Sequence, residues 1–184
     1  MLLLLGLSNA RAQQTINVAN GDVSGLITAI KTLNAGGGGT INLASGGLYA
    51  PVAPSDWWYG PNAFPAIASA ITINGNGATI QGASGSPNFR LFFVSGGFST
   101  LPAGSLTLND LTLTGGYALG GSGGTGSAQT YAAGGGGGGA GMGGAIYNQG
   151  YLLLSNVTVS GNQAVEVDSD PTVVPSLGVE SRIQ

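Results

Sequence analysis

Apolar and small polar residues alternate along this chain in a segment written three times. LTLNDLTLTGG from Leu106 and LLLSNVTVSGN from Leu152 superimpose without a gap at an offset of 46 residues, and their apolar positions coincide. ITINGNGATIQG, from Ile71, is a third copy with two extra residues at its corner. A period of two puts Ile71, Ile73, Leu106, Leu108, Leu152 and Leu154 on one side of a strand. After the corner, Ile80, Leu111, Leu113, Val157 and Val159 take the same side. One short strand pair cannot bury such a face, whereas stacked copies share an apolar column. Coils that always turn the same way have parallel strands, so the expected class is all-β, a parallel β-helix or solenoid. Asn74, Asn109 and Asn156 suit the corners and can hydrogen-bond along the column. Thr72, Thr79, Thr107, Thr112 and Thr158 point outward as hydroxyl rows.

Upstream, TINVAN at residues 15–20 reads as a strand, and the period then changes. Asp22 can cap an amphipathic helix whose Leu26, Ile27, Ile30 and Leu33 share a face, and the glycines from Gly36 stop it. This helix is expected to close the N-terminal end of the column, where unpaired strand edges invite association. Residues 13–38 thus form a strand and cap helix. Residues 39–162 form the coils, with a Gly-rich loop inserted at 115–144. Residues 163–184 are an irregular tail that concentrates acidic residues and shows no capping element, leaving an end through which chains can associate.

Composition narrows the function. Of 184 residues only 6% are charged, with four basic and seven acidic side chains, so no electrostatic footprint for nucleic acid is present. Cysteine and histidine are absent, which removes thiolate and imidazole metal sites and Ser-His-Asp or Cys-His catalysis. No metal or cofactor is implied. The start, MLLLLGLSNARAQQ, pairs a short apolar run with Ala10-Arg11-Ala12, the pattern of a leader cleaved after Ala12. The run falls short of the about 20 apolar residues that span a bilayer. The expected location is therefore secreted or cell surface, with no membrane-spanning segment in the mature chain.

Candidate chemistry is sparse. Within the strand segments the acid is Asp110, read as a corner residue, and the arginine is Arg90, read as a solvated strand-edge residue. A converging set of carboxylates, as polysaccharide hydrolysis needs, is not written there. Gly121, Gly123 and Gly126 match G-x-G-x-x-G, but no helix pattern follows and no acid lies about 20 residues on, so a low-complexity loop is the better account. Asn156-Val157-Thr158 is a formal glycosylation sequon at a corner, where a structural Asn is favoured. The threonine rows raise the idea of water ordering, although only Leu111–Thr114 contains a full Thr-x-Thr. Trp57, Trp58 and Tyr59, in PSDWWYGP, are the candidate ligand-binding residues: their rings can stack on sugars, or pack over the side of the column.

GGAIYNQG at Gly143–Gly150, followed by SNVTVSGNQA, and GLITAIKTLNAGGGGTINLASGGLY upstream resemble secreted bacterial right-handed parallel β-helix proteins of the pectate-lyase-like superfamily. Their style is that of adhesin-like and polymorphic outer-membrane-type proteins. The resemblance implies a right-handed solenoid with an N-terminal cap and a non-catalytic, adhesin-like role, presenting a neutral surface to a glycan or surface protein. The alternative it carries is a fragment of a polysaccharide lyase or glycoside hydrolase acting on pectin-like polymers.

Overall fold

The computed structural model describes residues 13–83, 87–121 and 139–166. Residues 1–12, read from the sequence as a cleaved leader, Gly123, Gly126 and the tail beyond Glu166 lie outside the described residues. Each alternating segment forms a strand. In chain order the elements are β1 (Gln14–Val18), α1 (Val23–Gly36), β2 (Gly39–Leu43), β3 (Leu48–Tyr49), β4 (Ala70–Gln81), β5 (Phe92–Val94), β6 (Ser105–Thr114), β7 (Tyr117–Leu119), β8 (Ile146–Asn148), β9 (Tyr151–Ser160) and β10 (Gln163–Val165). β1, β2, β4, β6 and β9 lie side by side in one six-stranded sheet, with β3 paired to the far half of β4. All of these pairings are parallel.

The gap-free alignment is the actual register: Ser105 faces Tyr151 and Thr114 faces Ser160, each 46 residues apart. The two extra residues of the third copy are a shift in the β4–β6 ladder between Asn74 and Ala78. Gly75 sits there because a Cβ would strike Asp110 O and come within 2.8 Å of Leu111 Cβ.

The expectation of an all-β, right-handed parallel β-helix is overturned. β4, β6 and β9 continue through their corners as strands of 12, 10 and 10 residues in a single sheet, and the helix belongs to the core. The intervening chain adds two separate two-stranded sheets, β5–β8 and β7–β10. The arrangement is mixed α/β, a six-stranded parallel sheet with one helix, and not a repeating solenoid. Alternation reports which face of a strand is buried, but it is silent on whether a corner starts a new sheet. The Gly-rich stretch and the tail, read as without strands, also contribute β7 and β10.

Local rules account for the helix. Asp22 Oδ1 accepts from Gly25 N at 2.7 Å and Ser24 Oγ at 2.8 Å, which fixes the N-terminus. Gly37, at φ 87°, is the C-cap. Leu26, Ala29, Ile30 and Leu33 are buried, while Ile27 is half-buried. The core they enter holds Ile41, Ile73 and Leu108 in register, with Tyr49, Phe64 and Phe92. Phe64 and Phe92 stack at 4.9 Å.

The outer face carries two polar columns rather than one. Asn42 donates to Asn17, Asn74 to Asn42 and Asn109 to Asn74, at 2.9 to 3.0 Å. The corner proper is a second column of left-handed residues, Asn76, Asp110 and Asn156, at φ 52°, 49° and 53°. Asn156 therefore stacks on Asp110, to which it donates, and not on Asn109. Beside the amide ladder, Thr15, Thr40, Thr72 and Thr107 share one register position, which β9 ends with Leu153.

Candidate functional site

The aromatic loop is held by one carboxylate. Asp56 Oδ1 accepts from Trp57 N at 2.6 Å and from Trp58 N at 3.4 Å, and Oδ2 accepts from Ala66 N at 2.6 Å. This is the local turn chemistry of Asp, extended across the loop to its far side. Asn62, fully buried, closes the base by donating from Nδ2 to Trp58 O and Gly60 O, both at 2.9 Å. These bonds pin the loop at both ends, and its three aromatic side chains meet different surroundings.

Trp57 is 69% exposed. Trp58 is half-buried and lines a groove of about 400 Å³ with Lys31, Asn34, Ser55, Leu101 and Pro102. Tyr59 goes the other way, packing on Phe93 at 5.3 Å and Tyr147 at 5.9 Å between ring centres. The structure thus separates the three sequence candidates: Trp58 lines a groove, Trp57 is exposed to solvent, and Tyr59 joins an aromatic cluster. Packing over the side of the core, considered for all three, applies to Tyr59.

Tyr59 has φ 53°, a left-handed conformation that costs a bulky residue about 1–3 kcal/mol unless its surroundings hold it. Its carbonyl accepts from Arg90 Nη2 at 2.8 Å, which is part of that hold. Arg90 itself corrects the sequence reading. Far from being solvated, it is 4% exposed, with its guanidinium 5.1 Å over the Tyr147 ring. Desolvation pulls its pKa below the ordinary arginine value, and the Tyr147 interaction opposes the shift. Nε and Nη1 have no hydrogen-bond partner among the described residues. Two buried acceptors nearby are equally unmatched: Asn62 Oδ1, whose residue bridges Arg90 in parallel fashion, and Gln149 Oε1, whose amide donates to Tyr147 OH.

The sequence missed Lys31 at the groove because it comes from a distant part of the chain; Ser55 and Asp56 stand directly before Trp57 in PSDWWYGP, and that adjacency was the signal for them. Arg90 carried a signal: Phe89 and Leu91–Val94 form an apolar run on both sides of it, and all are buried. A charge inside such a run goes into the core with it.

Of the four described carboxylates three have structural roles, and Glu166 is exposed at the end of the described residues. Asp22 caps α1, Asp56 anchors the loop, and Asp110 accepts from Asn156 at a corner. Asp110 thus sits where the sequence placed it, and Asn156 of the sequon is an exposed corner residue. Among the described residues no three His, Cys, Asp or Glu side chains come together in a metal-binding group. Compared with known proteins, the chain matches no family model, no curated protein and no solved structure.

Proposed function

We propose that this chain is a non-catalytic, adhesin-like protein that works outside the cell and binds a glycan through the Trp57–Trp58 loop. The observation that carries this reading is Trp58 lining a groove, with an exposed Trp57 next to it in sequence, on a loop that Asp56 pins. Aromatic faces held rigid lose little entropy when a sugar ring stacks on them, and an exposed tryptophan is otherwise a poor use of surface. Lys31 and Ser55 add polar contacts at the same groove. The carboxylates already engaged in capping, loop and corner hydrogen bonds favour binding over hydrolysis. The broad face of Asn and Thr rows, free of charged residues at those positions, supports an uncharged presenting surface.

The test is a glycan array followed by tryptophan-fluorescence titration of the full chain. Trp57→Ala and Trp58→Ala are each expected to weaken binding about tenfold, or ~1.4 kcal/mol, without altering the circular dichroism spectrum. Absence of glycan binding, or binding indifferent to both substitutions, rejects the reading.

A further inference from the structure

Three consecutive strands form one uncovered edge. β8, β9 and β10 pair in parallel with β5, β6 and β7 in that order, and each ends its sheet. No strand among the described residues pairs with their far side. The side chains along that edge are those of a core. Leu152, Leu154, Val157 and Val159 lie in register with Leu106, Leu108, Leu111 and Leu113, which are buried because β9 covers them. β9 has no such cover, so Leu154 and Val159 are 43% and 48% exposed in the single chain. On the outer face Tyr151 and Leu153 are exposed as well, where β6 has Ser105 and Thr107.

Soluble chains guard such edges with charged side chains or proline. Residues 146–165 carry neither. From the start of β8 to the end of β10 the edge runs over 20 residues, the lower end of the about 20–30 a side in a standard protein interface.

The pattern along the edge also specifies its occupant. Asn156, at φ 53°, resets the alternation: Ser155 and Asn156 are both exposed, and the inward positions fall evenly on either side of the bond between them. β9 has five residues before that bond and five after it. Two residues separate β9 from β8 and two from β10, and those strands have three residues each. A two-fold axis through the Ser155–Asn156 bond therefore sets Leu152 opposite Val159 of a second copy, Leu154 opposite Val157, Leu153 opposite Thr158, and β8 beside β10. Inward positions meet inward ones and outward positions meet outward ones. A slip of one residue mixes the two faces. A parallel pair of β9 strands related by a two-fold axis does the same, because that axis turns the inner face of one sheet to the outer side of the other.

We propose that two copies of this chain join through the β8–β9–β10 edge as an antiparallel, two-fold symmetric dimer that carries the sheet across both molecules. The dimer requires no ligand at the tryptophan loop.

Light scattering of the full chain during size-exclusion chromatography is expected to give twice the mass of one chain at about 100 μM, falling to the single mass on dilution. Val159→Lys is expected to raise the dissociation constant by at least about tenfold with an unchanged circular dichroism spectrum. Disulfide trapping reads the register, since the chain has no cysteine of its own. Leu153→Cys with Thr158→Cys is expected to cross-link between chains on oxidation: the sites are opposite across the axis, and at about 3.3 Å per residue they are too far apart to join within one strand. Leu153→Cys with Ser160→Cys, two residues out of register, is expected not to cross-link. A wild-type monomer at that concentration overturns the dimer, the more directly if its β9 amides resist hydrogen exchange, for the chain then covers its own edge. Open-ended assemblies overturn the two-fold symmetry, and equal trapping by both cysteine pairs overturns the register. Should Val159→Lys fail to fold, the trapping experiment decides alone.

Discussion

Asn74 Nδ2 donates to Asn42 Oδ1 at 2.9 Å across two adjacent parallel strands, and the same side chain accepts from Asn109 at 2.9 Å on its other side. The amide is thus a donor toward one strand and an acceptor toward the next. A two-way link of this kind ties strand register to side-chain orientation: a slip of one residue would put Ile73 or Gly75 where Asn74 now stands, and the ladder would be lost.

Asn74→Ala is therefore expected to cost about 1–3 kcal/mol, the net value of two intramolecular hydrogen bonds. Asn17→Ala, which removes one bond at the edge of the ladder, is expected to cost about half as much. Urea denaturation of both variants checks the ratio, and equal losses would show that the ladder does not act through its bonds.

Leu108 and Leu154 face each other in the β6–β9 register, yet Leu108 is fully buried and Leu154 is 43% exposed. Their sequence contexts are nearly the same. Leu108→Ala is expected to destabilise by about 2–5 kcal/mol, through lost transfer energy and the cavity left behind. Leu154→Ala is expected to cost well under half of that, since much of its surface already meets solvent. Chemical denaturation of the pair measures how unevenly two copies of one pattern contribute.

That contrast marks what the sequence could convey. Alternation identified the long strands β4, β6 and β9, the 46-residue register and the two extra residues at the corner of the third copy, because all three are local or pairwise properties of the pattern. The helix was legible from Asp22, the glycines from Gly36 and the spacing of Leu26, Ile30 and Leu33, with Gly37 as the residue that caps it. The fold class was not, because nothing in LTLNDLTLT says whether Asn109-Asp110 ends one sheet or merely bends a strand within it. The left-handed turn at Asp110 keeps both halves in the same ladder. At the site, PSDWWYGP announced an aromatic loop, but Lys31 and Leu101 reach its groove from distant parts of the chain. Arg90 was misplaced because its charge was weighed and the apolar run around it was not.

Asp22 carries a pH dependence whose sign follows from its contacts. The Gly25 amide, followed by the Ser24 hydroxyl, holds the carboxylate and keeps its pKa below the ordinary value, with desolvation opposing. A pKa lower in the folded than in the unfolded chain stabilises the fold above the unfolded value, and that contribution is lost as pH falls through the folded one. The stability difference between wild type and Asp22→Asn is thus expected to be constant near neutrality and to shrink on acidification through the carboxylate range. Urea midpoints of the two proteins across pH 2–7 would show it, and a difference independent of pH would rule out the ionised carboxylate as its source.

Gly75 and Gly77 lie two residues apart at the same corner and should fail for different reasons. A Cβ on Gly75 meets the Asp110 carbonyl and lies 2.8 Å from Leu111 Cβ, contacts with a neighbouring strand's backbone that cannot rotate away. Gly77 has open space around it but φ 77°, where an L-residue is strained. Gly77→Ala is expected to cost about 1–2 kcal/mol, the left-handed penalty alone. Replacement by Asn, which tolerates that region, should recover part of the loss. Gly75→Ala is expected to cost about 1–3 kcal/mol or more by overpacking, and Asn there should be worse than Ala because it adds bulk to a closed gap. The opposite ranking of Ala and Asn at the two positions, read from thermal denaturation, separates backbone strain from strand-to-strand collision. The same ranking at both would mean that the corner relaxes and that its close approach does not set the register.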